Sequence, residues 1–137
     1  MPFRKVLLAT LLIIPVLCFA QTPAPSMMMM KPAAFQLIDF TDLEAAQALA
    51  AKGPTVLFFS ADWCPFCQAD LKQFKTEGAR LGGIAVVVVD YDTARDLKAK
   101  YKVAYQHTYV RIDANGDATA VWNGGGIDGI LARIKKA

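Results

Sequence analysis

The sequence has few residues that build metal centres and no excess of charge that would attract nucleic acid. Of its 137 residues, three are cysteines and one is a histidine, His107. A closed structural zinc site takes four ligands, mostly cysteine and histidine, so it would have to recruit acids or a second chain here. The net charge is only +3 and no basic tract is present. The composition therefore gives no reason to expect a nucleic-acid partner.

The chain also lacks an apolar run long enough to span a bilayer. Residues 6–19 are apolar or small and follow two basic residues. As a helix they would reach roughly 21 Å, short of the roughly 30 Å hydrocarbon core. Cys18 and Ala20 place small residues at the −3 and −1 positions of a cleavage site. We therefore predict a signal peptide over residues 1–20 and export, most simply to a bacterial periplasm, with a membrane anchor as the alternative.

Cleavage would change the counts of charge and cysteine. Thirteen basic residues would remain against twelve acidic ones, a net charge of +1, and two cysteines of the three would remain. Residues 21–34 carry three prolines and four consecutive methionines, Met27 to Met30. This composition predicts a flexible linker, and copper binding by the methionine run is the alternative. A single globular domain is expected over residues 35–137.

Strand-like and helix-like segments alternate along this domain. The predicted strands cover residues 35–40, 55–60, 84–90 and a hairpin at 108–122, and the predicted helices lie at 41–53, 64–80, 93–101 and 127–137. Thr41 with Glu44 predicts a capping box, and Thr93 the N-cap of the third helix. The order β-α-β-α-β-α-β-β-α predicts an α/β fold, with a central mixed β-sheet flanked by helices on both faces.

The most informative stretch, "ADWCPFCQAD", contains Cys64 and Cys67 at the predicted start of the second helix. Pro65 suits the first helical position, which makes Cys64 the N-cap. Its sulfur can accept from the N–H groups of Phe66 and Cys67 at the positive end of the helix dipole, and this favours thiolate over thiol. Cys67 faces the same side. We therefore predict that Cys64 attacks a disulfide and that Cys67 resolves the mixed disulfide. A structural crosslink stays open as an alternative, although a four-residue loop removes little chain entropy.

"TVLFFSADWCPFC", followed by a helix, "VVVVDYD", "YKV" and an "NG" hairpin, resembles the thioredoxin family over residues 35–137. The resemblance implies the thioredoxin fold and an exposed nucleophile that matches Cys64. It also implies a redox-active Cys64–Cys67 disulfide, tuned by Pro65 and Phe66. Trp63 is interpreted as packing against the loop and shielding the motif, with direct contact to a partner as the alternative. The partners would be protein or small-molecule thiols and disulfides, with a membrane redox protein as the expected electron partner. No cofactor is required.

The chain departs from the family at three places. Phe58 stands where a buried acid is usual, and Lys72 where a proline often kinks the helix, so a straighter helix is expected. His107 takes the place of the cis-proline and Thr108 is retained. A cis bond before His107 would cost about 2.5–4 kcal/mol, so a trans bond is expected. By analogy, Gln106 and His107 would border the substrate groove.

His107 has three possible roles. It could be an exposed loop histidine, an imidazole that shuttles protons or stabilises the thiolate, or a metal ligand with Cys64 and Cys67. Asp62 and Asp70 are interpreted as solvated charges, with proton transfer by Asp70 as an alternative. We expect an exported thiol–disulfide oxidoreductase. The competing hypotheses are a metal-carrying or binding module using Cys64, Cys67 and His107, and a non-catalytic domain for protein contacts.

Overall fold

The computed structural model describes residues 33–135. The predicted signal peptide, Cys18 and the methionine run lie outside these residues, as does most of the predicted linker. Five strands form one sheet in the order β1-β3-β2-β4-β5. The elements are β1 Gln36–Asp39, α1 Leu43–Ala50, β2 Thr55–Ser60, α2 Pro65–Glu77, β3 Ala85–Asp90, α3 Arg95–Tyr101, β4 Thr108–Ile112, β5 Ala118–Asn123 and α4 Gly126–Ile134.

The sheet is mixed, as predicted. Strand β3 pairs in parallel with both β1 and β2. Strand β4 pairs antiparallel with β2 and with β5. All six residues of β2 are buried, because this strand lies at the centre of the sheet and is covered on both sides. The continuous apolar run that predicted β2 is typical of such a strand.

Alternate side chains of β2 belong to two separate hydrophobic clusters. Val56 and Phe58 pack in one cluster with buried residues of α2 and α4. Leu57 and Phe59 pack in the other, with residues of α1 and α3. Since successive side chains of a strand point to opposite faces, α2 and α4 cover one face of the sheet and α1 and α3 the other. The predicted α/β architecture is confirmed.

Two predicted helix caps are wrong. Asp42, not Thr41, caps α1, because its Oδ1 accepts from the N–H of Ala45 at 2.7 Å. Helix α3 begins after Ala94 without a side-chain cap, since the hydroxyl of Thr93 donates instead to Asp90 at 2.9 Å.

Helix α2 and the chain after it also differ slightly from the prediction. The α-helix ends at Glu77, and the chain continues as a 3₁₀ turn over Gly78–Leu81. Among residues 33–135, no helix has the length and apolar character needed to cross a membrane.

Candidate active site

The cysteine pair lies where β2 gives way to α2, and the local sequence explains its geometry. Cys64 is the N-cap of α2 and Pro65 occupies the first turn, as predicted. The Sγ of Cys64 accepts a hydrogen bond from the backbone N–H of Cys67 at 3.2 Å. Within the described chain, the second expected donor, the N–H of Phe66, makes no such bond. Both cysteines are free thiols in this structure.

Both sulfur-bearing residues are buried, so the expectation of an exposed nucleophile is wrong. Cys64 is 2% exposed and Cys67 is fully buried. Both belong to the hydrophobic cluster between the sheet and α2, together with Ala61 and Phe58. The sulfur of Cys64 turns back onto its own helix to accept from Cys67, which withdraws it from the surface.

Burial sets the acidity of the second thiol. It is the main cause that raises the pKa of Cys67 from 9.0 to about 11, followed by a hydrogen bond with Cys64. Electrostatic repulsion by Cys64 adds to the rise, while bonds to Ala61 and Ser60 oppose it. Cys67 is therefore a thiol at neutral pH, and it must lose a proton before it can act as a nucleophile.

His107 takes an unusual backbone conformation on the loop before β4. Its φ angle is +60°, in a region that residues other than glycine seldom adopt. Its N–H donates to the carbonyl of Phe59 at 2.8 Å, and its carbonyl accepts from Gly124 at 2.9 Å. No peptide bond among residues 33–135 is cis, which confirms the expected trans bond before His107.

The His107 side chain is paired with an acid of α2. Its Nε2 lies 2.6 Å from Oδ2 of Asp70, and both side chains are 17% exposed. The hydroxyl of Tyr109, on β4, donates to the same Oδ2 at 2.5 Å. Burial first, and then its bond to Asp70, raise the pKa of Tyr109. The interpretations of Asp70 as a solvated charge and of His107 as an exposed loop histidine are both wrong. We call these three residues, Asp70, His107 and Tyr109, the acid cluster.

Aromatic stacking holds the acid cluster in place. The ring of Tyr109 lies between Phe58, at a centroid distance of 4.5 Å, and Trp122, at 5.5 Å, with both pairs stacked at 12°. Phe58, which occupies the place of the family's buried acid, therefore supports the tyrosine that binds Asp70. The ring of Phe66 stacks on His107 at 6.1 Å, so the imidazole lies against the cysteine motif.

Two exposed aromatic residues flank the cysteines. Phe66 is 70% exposed and Trp63 is 60% exposed. The Nε1 of Trp63 donates to Asp92 at 2.9 Å, which ties the indole to the loop after β3. Asp62, also exposed, is solvated as predicted.

The two predicted groove residues beside His107 make structural bonds. Thr108 is buried, and its hydroxyl donates to the carbonyl of Tyr105 at 2.7 Å. The amide of Asn123 donates to the Gln106 carbonyl at 3.0 Å and to the Thr108 hydroxyl at 3.2 Å. These bonds fix the loop that carries His107.

The geometry does not assemble the metal centre considered as an alternative. Within the part of the chain that the structure describes, no group of three or more His, Cys, Asp or Glu side chains is arranged to hold a metal ion. The Nε2 of His107 is engaged by Asp70 rather than by the cysteines. The methionine run lies outside the described residues.

Comparisons with known proteins agree with the fold. Residues 21–123 match the model of the AhpC/TSA family. Thioredoxin-1 of Caenorhabditis elegans is 36% identical over 69 residues, which are 50% of this chain and 59% of that protein. The chain thus matches less than two thirds of that relative's length.

Two structures of thioredoxin from Schistosoma mansoni are also similar. One is 27% identical with a TM-score of 0.61, covering 74% of this chain and 97% of that one. The other is 28% identical with a TM-score of 0.60, covering 74% and 94%. These matches confirm the resemblance to thioredoxins, and the chain belongs to the AhpC/TSA family, with a thioredoxin-like fold.

Proposed function

We propose that this protein is a thiol–disulfide oxidoreductase whose working groups are Cys64 and Cys67. One observation carries the proposal: Cys64 caps α2 and its sulfur accepts from the N–H of Cys67 at 3.2 Å. That bond and the positive end of the helix dipole lie beside the Cys64 sulfur, which carries the nucleophile's negative charge during exchange. The second thiol lies one turn along the same helix, where it can displace whatever Cys64 has captured.

The reaction transfers two electrons through a mixed disulfide. In the reducing direction, the Cys64 thiolate attacks one sulfur of a partner disulfide, and the other partner sulfur leaves as a thiolate. Cys67 loses its proton and attacks the Cys64 sulfur. The Cys64–Cys67 bond forms, and the second partner thiolate leaves. Oxidation of a partner dithiol runs through the same intermediates in reverse. Since Cys64 is 2% exposed, the attack requires a local opening of the motif.

Trapping of the mixed disulfide tests this proposal. A Cys67→Ser variant cannot resolve the intermediate, so with oxidised glutathione it should gain one glutathione on Cys64, located by mass spectrometry of its peptides so that Cys18 is counted separately. The matched Cys64→Ser variant should gain none on Cys67 under the same conditions, because Cys67 is fully buried and burial, the main cause that raises its pKa, remains in this variant. Equal labelling of the two variants, or no labelling of either at neutral pH, would contradict the assignment.

We propose further that the protein is exported, with protein thiols and disulfides as partners and a membrane redox protein as its electron partner. The support is the signal-peptide pattern of residues 1–20 and the oxidising compartment in which the cysteine pair would then lie. N-terminal sequencing of the periplasmic protein is expected to begin at Gln21. A cytoplasmic protein that begins at Met1 would refute export.

A further inference from the structure

The proposed reaction needs a base near Cys67, and the usual place for one is apolar in this chain. The Cys67 thiol is buried and protonated at neutral pH, so it must transfer its proton before it can attack. In β2 the position of the family's acid is occupied by Phe58, which is fully buried. The polar side chain that ends this strand is a serine, Ser60, which does not act as a base at neutral pH.

Asp70 is the carboxylate one helical turn after the resolving thiol. It lies three residues after Cys67 on α2, and side chains at this spacing are neighbours on one helix face, with Cβ atoms about 5–6 Å apart. Hydrogen bonds from His107 and Tyr109 both reach Oδ2. Within residues 33–135, no hydrogen bond reaches the other oxygen, Oδ1, which is therefore available to take a proton.

A glycine makes room for this oxygen. A Cβ placed on Gly126, the first residue of α4, would lie 3.0 Å from Oδ1 of Asp70 and 2.6 Å from Oε1 of Gln73. Gln73 in turn accepts from the N–H of Ile127 at 3.4 Å. The carboxylate thus lies against the backbone at the start of α4. At this contact, the helix contributes N–H groups and no charged side chain.

Each element packed around Asp70 contributes a known set of titratable groups. Its own helix brings Cys64 and Cys67 and, along the outer hollow that Asp70 lines, Lys72 and Glu77. The loop before β4 brings His107, and β4 brings Tyr109. The facing positions of β2 and α4 are apolar or backbone. Among these groups Asp70 is the carboxylate, and the Tyr109 hydroxyl keeps its own proton because its pKa is raised, so Asp70 is the group suited to take a proton that leaves Cys67.

We propose that Asp70 is the base that takes the proton from Cys67, and that His107 and Tyr109 are positioning residues that hold its carboxylate. This inference rests on the proposed thiol–disulfide exchange. When the mixed disulfide on Cys64 resolves, the Cys67 thiol gives its proton to Asp70, directly or through one water. The Cys67 sulfur bonds to Cys64, and the partner leaves as a thiolate. In the reverse direction, protonated Asp70 returns the proton to Cys67 as that sulfur leaves.

The test separates the two chemical steps. The purified, reduced protein is mixed with oxidised glutathione, and quenched-flow mass spectrometry follows the glutathione adduct as it forms and resolves. With Asp70→Asn, resolution should slow by roughly 10²-fold at pH 7, the lower end of general-base effects. Formation of the adduct should stay within about twofold, because it uses Cys64. The resolution rate should now rise with pH well above neutrality, because burial raises the pKa of Cys67 and no internal base remains to take its proton.

The matched control is Asp62→Asn, which removes the same charge from an exposed carboxylate two residues before Cys64. It should leave both steps and the pH profile unchanged. Added formate or imidazole should restore part of the resolution rate in Asp70→Asn, which a purely structural role would not allow. Equal slowing of both steps, with an unchanged pH profile and no rescue, would show that Asp70 is only structural.

The unaltered protein provides a second test should Asp70→Asn fail to fold. An internal base makes resolution independent of buffer concentration at constant pH and ionic strength. A rate that rises in proportion to buffer base would mean that the proton goes to solvent, and the inference would be overturned. If no glutathione adduct forms at all, the proposed function fails instead. If the adduct forms and resolves at the same rate in Asp70→Asn as in the unaltered protein, the thiol–disulfide exchange stands and only the role of Asp70 as a base fails.

Discussion

The buried thiol of Cys67 should make the reduced protein lose stability in alkaline solution. Its pKa is about 11 in the folded protein, against 9.0 for a free thiol. Below pH 9 the thiol is protonated in both states and its contribution to stability is fully present. Between these two values the unfolded chain loses the proton first, so that the folded state binds more protons. The free energy of unfolding therefore falls as the pH rises through this window.

The size of the effect follows from the two pKa values. A difference of one pKa unit corresponds to about 1.4 kcal/mol, so a rise from 9.0 to about 11 corresponds to about 3 kcal/mol. Cys67 is fully buried, so solvent does not screen this contribution as it would at the surface. Against a typical stability of about 5–15 kcal/mol, a loss of this size is easily measured.

Urea unfolding of the reduced protein, at several pH values from 9.0 to about 11, measures this loss. The matched comparison is Cys67→Ser, whose hydroxyl does not titrate in this range. Lysines and tyrosines titrate in both proteins, so the difference between their slopes isolates Cys67. The unaltered protein should lose about 2 kcal/mol more than the variant over this range, because at each end of it one of the two states is only half titrated. Parallel curves for the two proteins would refute the claim that burial keeps this thiol protonated.

Two further substitutions test the packing around the acid cluster. Phe58→Asp, which restores the family's acid, should lower the free energy of unfolding in urea by more than about 3 kcal/mol. The substitution removes a buried ring stacked on Tyr109 and buries a charge in its place. A variant as stable as the original protein would contradict this. Gly126→Ala should cost more than about 1 kcal/mol, because φ is +49° and the new Cβ would lie 2.6 Å from Gln73. The control is Gly82→Ala, because φ there is +57° but no atom lies within 4 Å of the new Cβ. An equal loss of stability in both variants would exclude the contact with Gln73 as a cause of the loss at Gly126.

Much of the fold could be predicted because its signals are local. Strand β2 is bounded by Pro54 before it and by the loop at Ala61 after it, and its predicted and observed limits agree at residues 55–60. The caps were harder to predict, since Thr41 and Asp42 are adjacent residues that both suit an N-cap. Only the backbone φ of Asp42, −156°, and its bond to Ala45 decide between them.

In the candidate site, too, the features that depend on neighbouring residues could be predicted, and those that depend on distant residues could not. Cys64, Pro65 and Cys67 are near neighbours in the chain, so their positions at the start of α2 follow from helix-start preferences. In the sequence, His107 lies 37 positions after Asp70 and Tyr109 lies 39 positions after it. No local sequence pattern encodes contacts over such separations. The one available signal was the i, i+3 spacing of Cys67 and Asp70, which places a carboxylate on the cysteine face of the helix.

The departures from the family at Phe58 and His107 are best understood as one change rather than two. The apolar ring of Phe58 stacks on Tyr109, which directs the tyrosine hydroxyl to Asp70. The same carboxylate oxygen binds the imidazole of His107, which occupies the loop position of the family's proline. An acid at position 58 would remove the ring that supports Tyr109, and a proline at position 107 would remove both the imidazole and the N–H that donates to Phe59. Restoring either family residue alone would therefore disturb the bonds to Asp70, so the aromatic ring on β2 and the histidine on the loop depend on each other through a single carboxylate of α2.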